Sequence, residues 1–261
     1  MQELKFERKV SKGSRFNQVY VTKELEADIQ PGDLVEVKLI SKASTLYFNN
    51  VKELSEFKRK LILEVIRTIK NNASKKNILI SQIFFIGSFL TEKVDYNDID
   101  IVIVTDYKQS LEEELADKFN LKFHILTMKE GALEKLLQIC PLTISMFSKF
   151  ISDKEFKEEY LRKIDQEHIQ SLLMMPQDLL EIDLNSKVFF DNLRRLTAIE
   201  RFLENKNLNA EKINQELKEL LGERIFKIIK NNELIDDDLK EVLRKHIAQK
   251  LNKIKGVLKI E

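Results

Sequence analysis

Two apolar runs, one ending in a glycine and the next opening on paired carboxylates, constrain this chain most. In FFIGSFLTEKVDYNDIDIVIV, residues 84–104, the first run closes on Gly87-Ser88, nine residues follow, and Asp98-Ile99-Asp100 opens the second. Short apolar runs punctuated in this way read as buried strands, near 78–86 and 98–105. Side chains two apart on a strand point to the same side, so Asp98 and Asp100 face one way while Ile99, Ile101 and Ile103 face a core. Carboxylates that close repel each other unless something positive sits between them. A divalent metal is the natural partner, since Mg²⁺ takes one or two protein carboxylates together with substrate phosphates. Gly87, one of only six glycines, lets the backbone approach a phosphate, and Ser88 adds a hydroxyl and an N–H. The competing reading is an Asx turn, with Asp98 capping a strand and Asp100 solvated.

The rest of the chain sets the context. Periodicity predicts a helix over 52–72 on Leu54, Phe57, Leu61, Val65 and Ile69, a charged helix over 109–119, and a third strand, LKFHILT, over 121–127. From residue 129 onward only helices are expected, with breaks at Cys140-Pro141, Met175-Pro176, Asn205–Asn209 and Gly222. Residues 1 to about 40 read as β, with Gly13 and Pro31-Gly32-Asp33 as turns. The fold class is therefore α+β: a small β module over 1–42, an α/β domain with a short mixed sheet over 43–138, and a helical domain over 139–261.

Composition narrows the function classes. Lys+Arg 44 against Asp+Glu 43 leaves a net charge of +1, so a nucleic-acid or membrane partner must rest on local patches. The single cysteine, Cys140, excludes an internal disulfide, and the three scattered histidines show no ligand spacing. The N-terminus lacks the apolar segment of a signal peptide, and the longest apolar run is too short for a bilayer. A soluble cytoplasmic protein without a membrane partner is expected.

Gly87-Ser88, nine residues, then Asp98-Ile99-Asp100-Ile101 resembles the signature of the DNA polymerase β-like nucleotidyltransferase superfamily. The resemblance covers about 20 residues with both flanking strands, and the third strand falls where small members of the superfamily have theirs. It implies transfer of a nucleoside monophosphate from a nucleoside triphosphate to a hydroxyl. Gly87 and Ser88 would bind phosphate, and Asp98 and Asp100 would hold Mg²⁺ or Mn²⁺. The superfamily usually supplies a third carboxylate from the adjacent strand. Here Lys122 aligns with it and His124 shares the face, with no acid in the strand. Three readings stay open. His124 replaces the acid as ligand or general base, a carboxylate such as Asp106 comes from elsewhere, or the fold holds nucleotide without turnover.

VSKGSRFNQVYVTKELEADIQPGDLVEVKLI resembles the AbrB/SpoVT-like β module, which implies a homodimer through residues 1–42 that docks a partner or reads DNA. In the helical half, Arg194-Arg195 has the look of a phosphate clamp, although Asp191 stands four residues before Arg195. The final helix sets an apolar stripe of Val242, Ile247, Leu251, Ile254 and Leu258 beside Arg244, Lys245, Lys250 and Lys253, with no acid between Glu241 and Glu261. That face either grips RNA or is solvated. Arg162 and His168 have the spacing of HEPN ribonuclease-like domains, which sometimes accompany small nucleotidyltransferases; a solvated charged helix produces the same pair. The expected activity is nucleotidyl transfer with RNA as the favoured acceptor, and the alternative is a dimeric nucleotide-binding adaptor.

Overall fold

The computed structural model describes residues 10–12, 14–15, 17–20, 33, 45–91, 98–107, 111–156 and 160–259. The chain divides into two compact units, Met1–Ala43 and Ser44–Glu261. In the first, strands β1 (Ser11–Lys12) and β2 (Asn17–Gln18) pair antiparallel, with Ser11 opposite Gln18. Most of the AbrB-like stretch, including Gly13 and the Pro31-Gly32 turn, lies outside the described residues.

The second unit is an α+β fold. Its five-stranded mixed sheet has the order β3 (Tyr47–Asn49), β7 (Phe150–Ser152), β4 (Ile80–Ile86), β5 (Ile99–Thr105), β6 (Phe123–Met128). β4 runs antiparallel to β5 and β7, and β5 runs parallel to β6. Two of the five strands were not legible in the sequence. β3 and β7 have only three residues each, too few for a period-two pattern to show, and β7 interrupts the stretch expected to be purely helical.

Alternation along β4 and β5 divides two cores. Ile83, Phe85, Ile99, Ile101 and Ile103 pack under helix α1 (Glu56–Lys75) and helix α2 (Glu112–Phe119). Phe84, Ile86, Val102 and Val104 pack on the other face, under α3 (Glu130–Ile139) and the residues that follow it. There Phe84 meets the rings of Phe147, Phe150 and Phe156 edge-on at 5.0–5.3 Å between centroids, a geometry favoured by the ring quadrupoles. Asp153, just beyond β7, accepts a hydrogen bond from the Ile83 N–H at 2.8 Å and an ion pair from Lys70 at 2.6 Å. That locks β7 beside β4.

Ser55 caps α1 by accepting from the Lys58 N–H. The α1 stripe is Leu61, Ile62, Val65, Ile66 and Ile69; Phe57, expected on it, is 65% exposed, because it lies in the first turn on the side away from the sheet. After α4 (Pro141–Met146) and β7 come α5 (Gln166–Asp178), α6 (Ser186–Leu203), α7 (Ala210–Lys230) and α8 (Asp237–Leu258), which share one apolar core. Pro176 does not end its helix as expected but lies inside α5. A proline frees the carbonyl four residues back, and the Leu172 carbonyl instead accepts the Arg195 Nη1 at 3.5 Å. Gly222 does break the helix locally, with φ 76° inside α7. Leu243, rather than Val242, completes the buried stripe of α8. Among the described residues no helix is long and apolar enough to cross a membrane.

Candidate active site

The site forms at the edge of the sheet where β4 ends and β5 and β6 begin. Ile86 is opposite Asp100 in the β4–β5 register, so Gly87, the next residue, stands directly over that carboxylate. A Cβ placed on Gly87 would lie 2.1 Å from Asp100 Oδ2. The backbone there also has φ +79° and ψ −159°, a region open essentially to glycine alone. Both constraints give the same answer to why this position is glycine: the turn and the carboxylate occupy adjoining space.

Ser88 begins a single 3₁₀ turn, Ser88–Leu90, and both Gly87 and Ser88 are exposed. Thr91 closes the turn, its Oγ1 donating to the Ser88 carbonyl at 2.7 Å and its N–H donating to the same oxygen at 3.1 Å. Lys58, from the first turn of α1, reaches beneath it. The buried Nζ donates to the Phe89 carbonyl at 2.9 Å and to the Thr91 carbonyl at 2.8 Å, 5.2 Å from the Phe89 ring centroid. Burial pulls its pKa below the usual lysine value. The sequence reading missed Lys58, although it lies three and four residues before Leu61 and Ile62, on the buried stripe. The charged run around it, EFKRK, made it look solvated.

Asp98 and Asp100 are half-buried. Asp100 lies on the face shared by Val102 and Val104, at the one end of β5 where that face is not covered. Its pKa is raised, first by burial and then by Asp98, while His124 acts in the opposite direction. The β5–β6 register sets His124, not Lys122, opposite Asp100. His124 Nδ1 is 3.3 Å from Asp100 Oδ1, and the imidazole is 72% exposed. Lys122 precedes β6 and contributes its carbonyl, which accepts from the Ile99 N–H at 3.0 Å. Asp106 follows the opposite end of β5, 3.9 Å from Lys129, and belongs to the other edge of the sheet.

Gly87, Ser88, Asp98, Asp100 and His124 therefore meet at one edge. Among the described residues no group of three or more His, Cys, Asp or Glu side chains is close enough to hold one ion. The donors still suit a hard divalent cation bound together with phosphate: Mg²⁺ takes one or two carboxylates and leaves its remaining positions to water and phosphate oxygens. The close approach of Gly87 to Asp100 leaves backbone, with no side chain, facing that carboxylate.

The proposed nucleic-acid contacts fare differently. The guanidinium pKa values of Arg194 and Arg195 are pushed down by desolvation, with Asp191 opposing; both arginines are half-buried within the helical packing. Asp191 pairs with Lys187 at 3.3 Å, not with Arg195. The basic face of α8 finds most of its acids outside the helix: Arg244 pairs with Asp183, and with Glu241 one turn back on α8, Lys250 with Glu200, and Lys253 with Glu204. Lys245 is exposed. Arg162 lies before α5, and its Nη1 donates to the Lys206 carbonyl at 2.7 Å, so it fastens the α6–α7 connection.

No family model matches the chain, and no curated protein matches it.

Proposed function

We propose that this chain is a Mg²⁺-dependent nucleotidyltransferase that moves a nucleoside monophosphate from a nucleoside triphosphate to an acceptor hydroxyl. The observation that carries this reading is the seating of Gly87 against Asp100, which makes the glycine-serine turn and the carboxylate pair adjoining parts of one site. Mg²⁺ or Mn²⁺, held by Asp98 and Asp100, would neutralise phosphate charge. Gly87 and Ser88 present backbone and hydroxyl to the phosphates. In the transfer, the acceptor oxygen forms a bond to the α-phosphorus, the bond from that phosphorus to the β-phosphate oxygen breaks, and pyrophosphate leaves. The hydroxyl proton passes to the His124 imidazole, which stands beside Asp100.

RNA was favoured on the strength of α8, but Arg244, Lys250 and Lys253 are already paired with acids, so protein and small alcohols stand beside it. Residues 1–42 are proposed as the homodimer contact.

Protein incubated with Mg²⁺ or Mn²⁺ and each α-labelled NTP, with RNA, bulk protein and the protein itself offered as acceptors, tests the reading. Label in a macromolecule, absent from the Asp98→Asn/Asp100→Asn variant, is the expected result. The specific observation behind the second reading, a nucleotide-binding adaptor without turnover, is that no third carboxylate joins the pair among the described residues. Metal-dependent NTP binding without label transfer selects it. Neither binding nor transfer overturns both.

A further inference from the structure

We infer that Lys58 is the positioning residue of the phosphate turn: its buried ammonium, tied to the Phe89 and Thr91 carbonyls, sets where Gly87 and Ser88 stand over Asp100 and thereby the affinity for the triphosphate. The inference rests on the nucleotidyltransferase reading of the site.

A lysine is among the residues least often buried without a partner, and removing an ammonium from water costs several kcal/mol unless hydrogen bonds replace the hydration. Here two carbonyls and an aromatic ring take that place. Both carbonyls belong to the segment just after Gly87-Ser88. The Ser88 carbonyl is taken by Thr91 and the Gly87 carbonyl by the Leu90 N–H at 3.4 Å. Of the five carbonyls from Gly87 to Thr91, the four of Gly87, Ser88, Phe89 and Thr91 are thus occupied by donors within the protein. A segment whose carbonyls already have donors within the protein is suited to an anion, because its repulsive oxygens are satisfied. Without the ammonium, the buried Phe89 carbonyl and the part-buried Thr91 carbonyl lose those donors, and the turn must rearrange to rehydrate them.

Lys58 comes from α1, whose apolar stripe packs on the underside of β4 and β5. The turn is thereby referenced to the same rigid body that carries Asp100. Its separation from the carboxylate does not depend on the nine-residue connection alone. The lysine reaches the turn from beneath and is not a catalytic residue.

The test uses the full chain with Lys58→Met, which keeps the apolar stem, and Lys58→Gln, which retains a shorter donor. Hydrogen exchange of residues 88–91 reports the turn, and titrations with Mn²⁺ alone and with each of the four NTPs plus Mn²⁺ report the site. Lys58→Cys alkylated with bromoethylamine, in a Cys140→Ser background, restores an ammonium at nearly the original reach. The expected result is faster exchange at 88–91, an NTP Kd raised roughly tenfold or more, an unchanged Kd for Mn²⁺ alone, and recovery in the alkylated protein. A folded Lys58→Met or Lys58→Gln protein with wild-type NTP affinity overturns the inference and leaves the nucleotidyltransferase reading standing. So does equal weakening of Mn²⁺ and NTP without recovery on alkylation, which would mark a purely structural lysine. A wild-type protein that binds none of the four NTPs removes the site reading, and this inference goes with it.

Discussion

At the scale of single residues, the site is built from positions that cost stability. Gly87 has a backbone conformation that other residues reach only with strain, and its neighbour is a carboxylate oxygen. Gly87→Ala is expected to lower stability by about 1–3 kcal/mol from the backbone alone and to abolish NTP binding, as urea denaturation and calorimetric titration would report. Asp100 carries the opposite signature. Its folded pKa is raised above the ordinary value, so the folded protein holds that proton more tightly than the unfolded chain does. Stability is therefore greatest below the ordinary carboxylate range and falls as pH rises through the raised value. Asp100→Asn removes that loss. Without metal, the variant should melt higher than the wild type at pH 7, with the gap closing as pH falls below 4. A variant that melts lower at pH 7 would mean that the carboxylate contributes more through its His124 contact than it loses through burial.

At the scale of elements, the helical half is held in register by a buried pair. Glu200 on α6 and Lys250 on α8 are hydrogen-bonded to each other, with side chains 6% and 11% exposed. Lys253 approaches Glu200 at 3.9 Å and Glu204 at 2.8 Å. Removing one partner leaves the other charge buried, so Glu200→Leu is expected to cost about 3–5 kcal/mol. Glu200→Leu/Lys250→Met replaces both partners with apolar groups and should recover most of that loss. Equilibrium unfolding of the two single variants and the double variant measures the coupling; strictly additive losses would show that the pair is not what joins α6 to α8. The α5 helix illustrates a different join, in which Arg195 serves the Leu172 carbonyl freed by Pro176.

At the scale of the whole molecule, a near-neutral chain still divides its charge into local sets. Lys206 and Lys253 hold Glu204 down to about 2, Lys149 lowers Glu211, and Lys218 and Lys227 lower Glu223. Each folded value lies below its unfolded value, so the stability from these carboxylates is present above about pH 4.5 and is lost as pH falls toward 2. The pairs are exposed enough to be screened by salt. Acid unfolding should therefore show a smaller stability difference between pH 5 and pH 2.5 in 0.5 M NaCl than in 0.02 M. An acid limb independent of salt would assign the loss to buried groups instead.

Much of this arrangement was legible in the residues. Short punctuated apolar runs identified the paired strands near 78–86 and 98–105, and the spacing of Gly87-Ser88 to Asp98-Asp100 suggested that the turn and the carboxylates meet at one edge. Helical spacing located most of α1, α6 and α8, because a repeated apolar face declares itself over several turns. Partners distant in sequence did not declare themselves. The three-residue strands β3 and β7 are stable only through pairing inside a sheet, and Lys58 is buried where the Phe89 and Thr91 carbonyls accept its ammonium. The basic run of α8 is neutralised by Asp183, Glu200 and Glu204, which no reading along one helix connects to it. Local sequence determined which segments are amphipathic and where the chain must turn. The tertiary structure alone decided which charges face each other, since a Coulomb or hydrogen-bond partner is set by distance in space and not by separation along the chain.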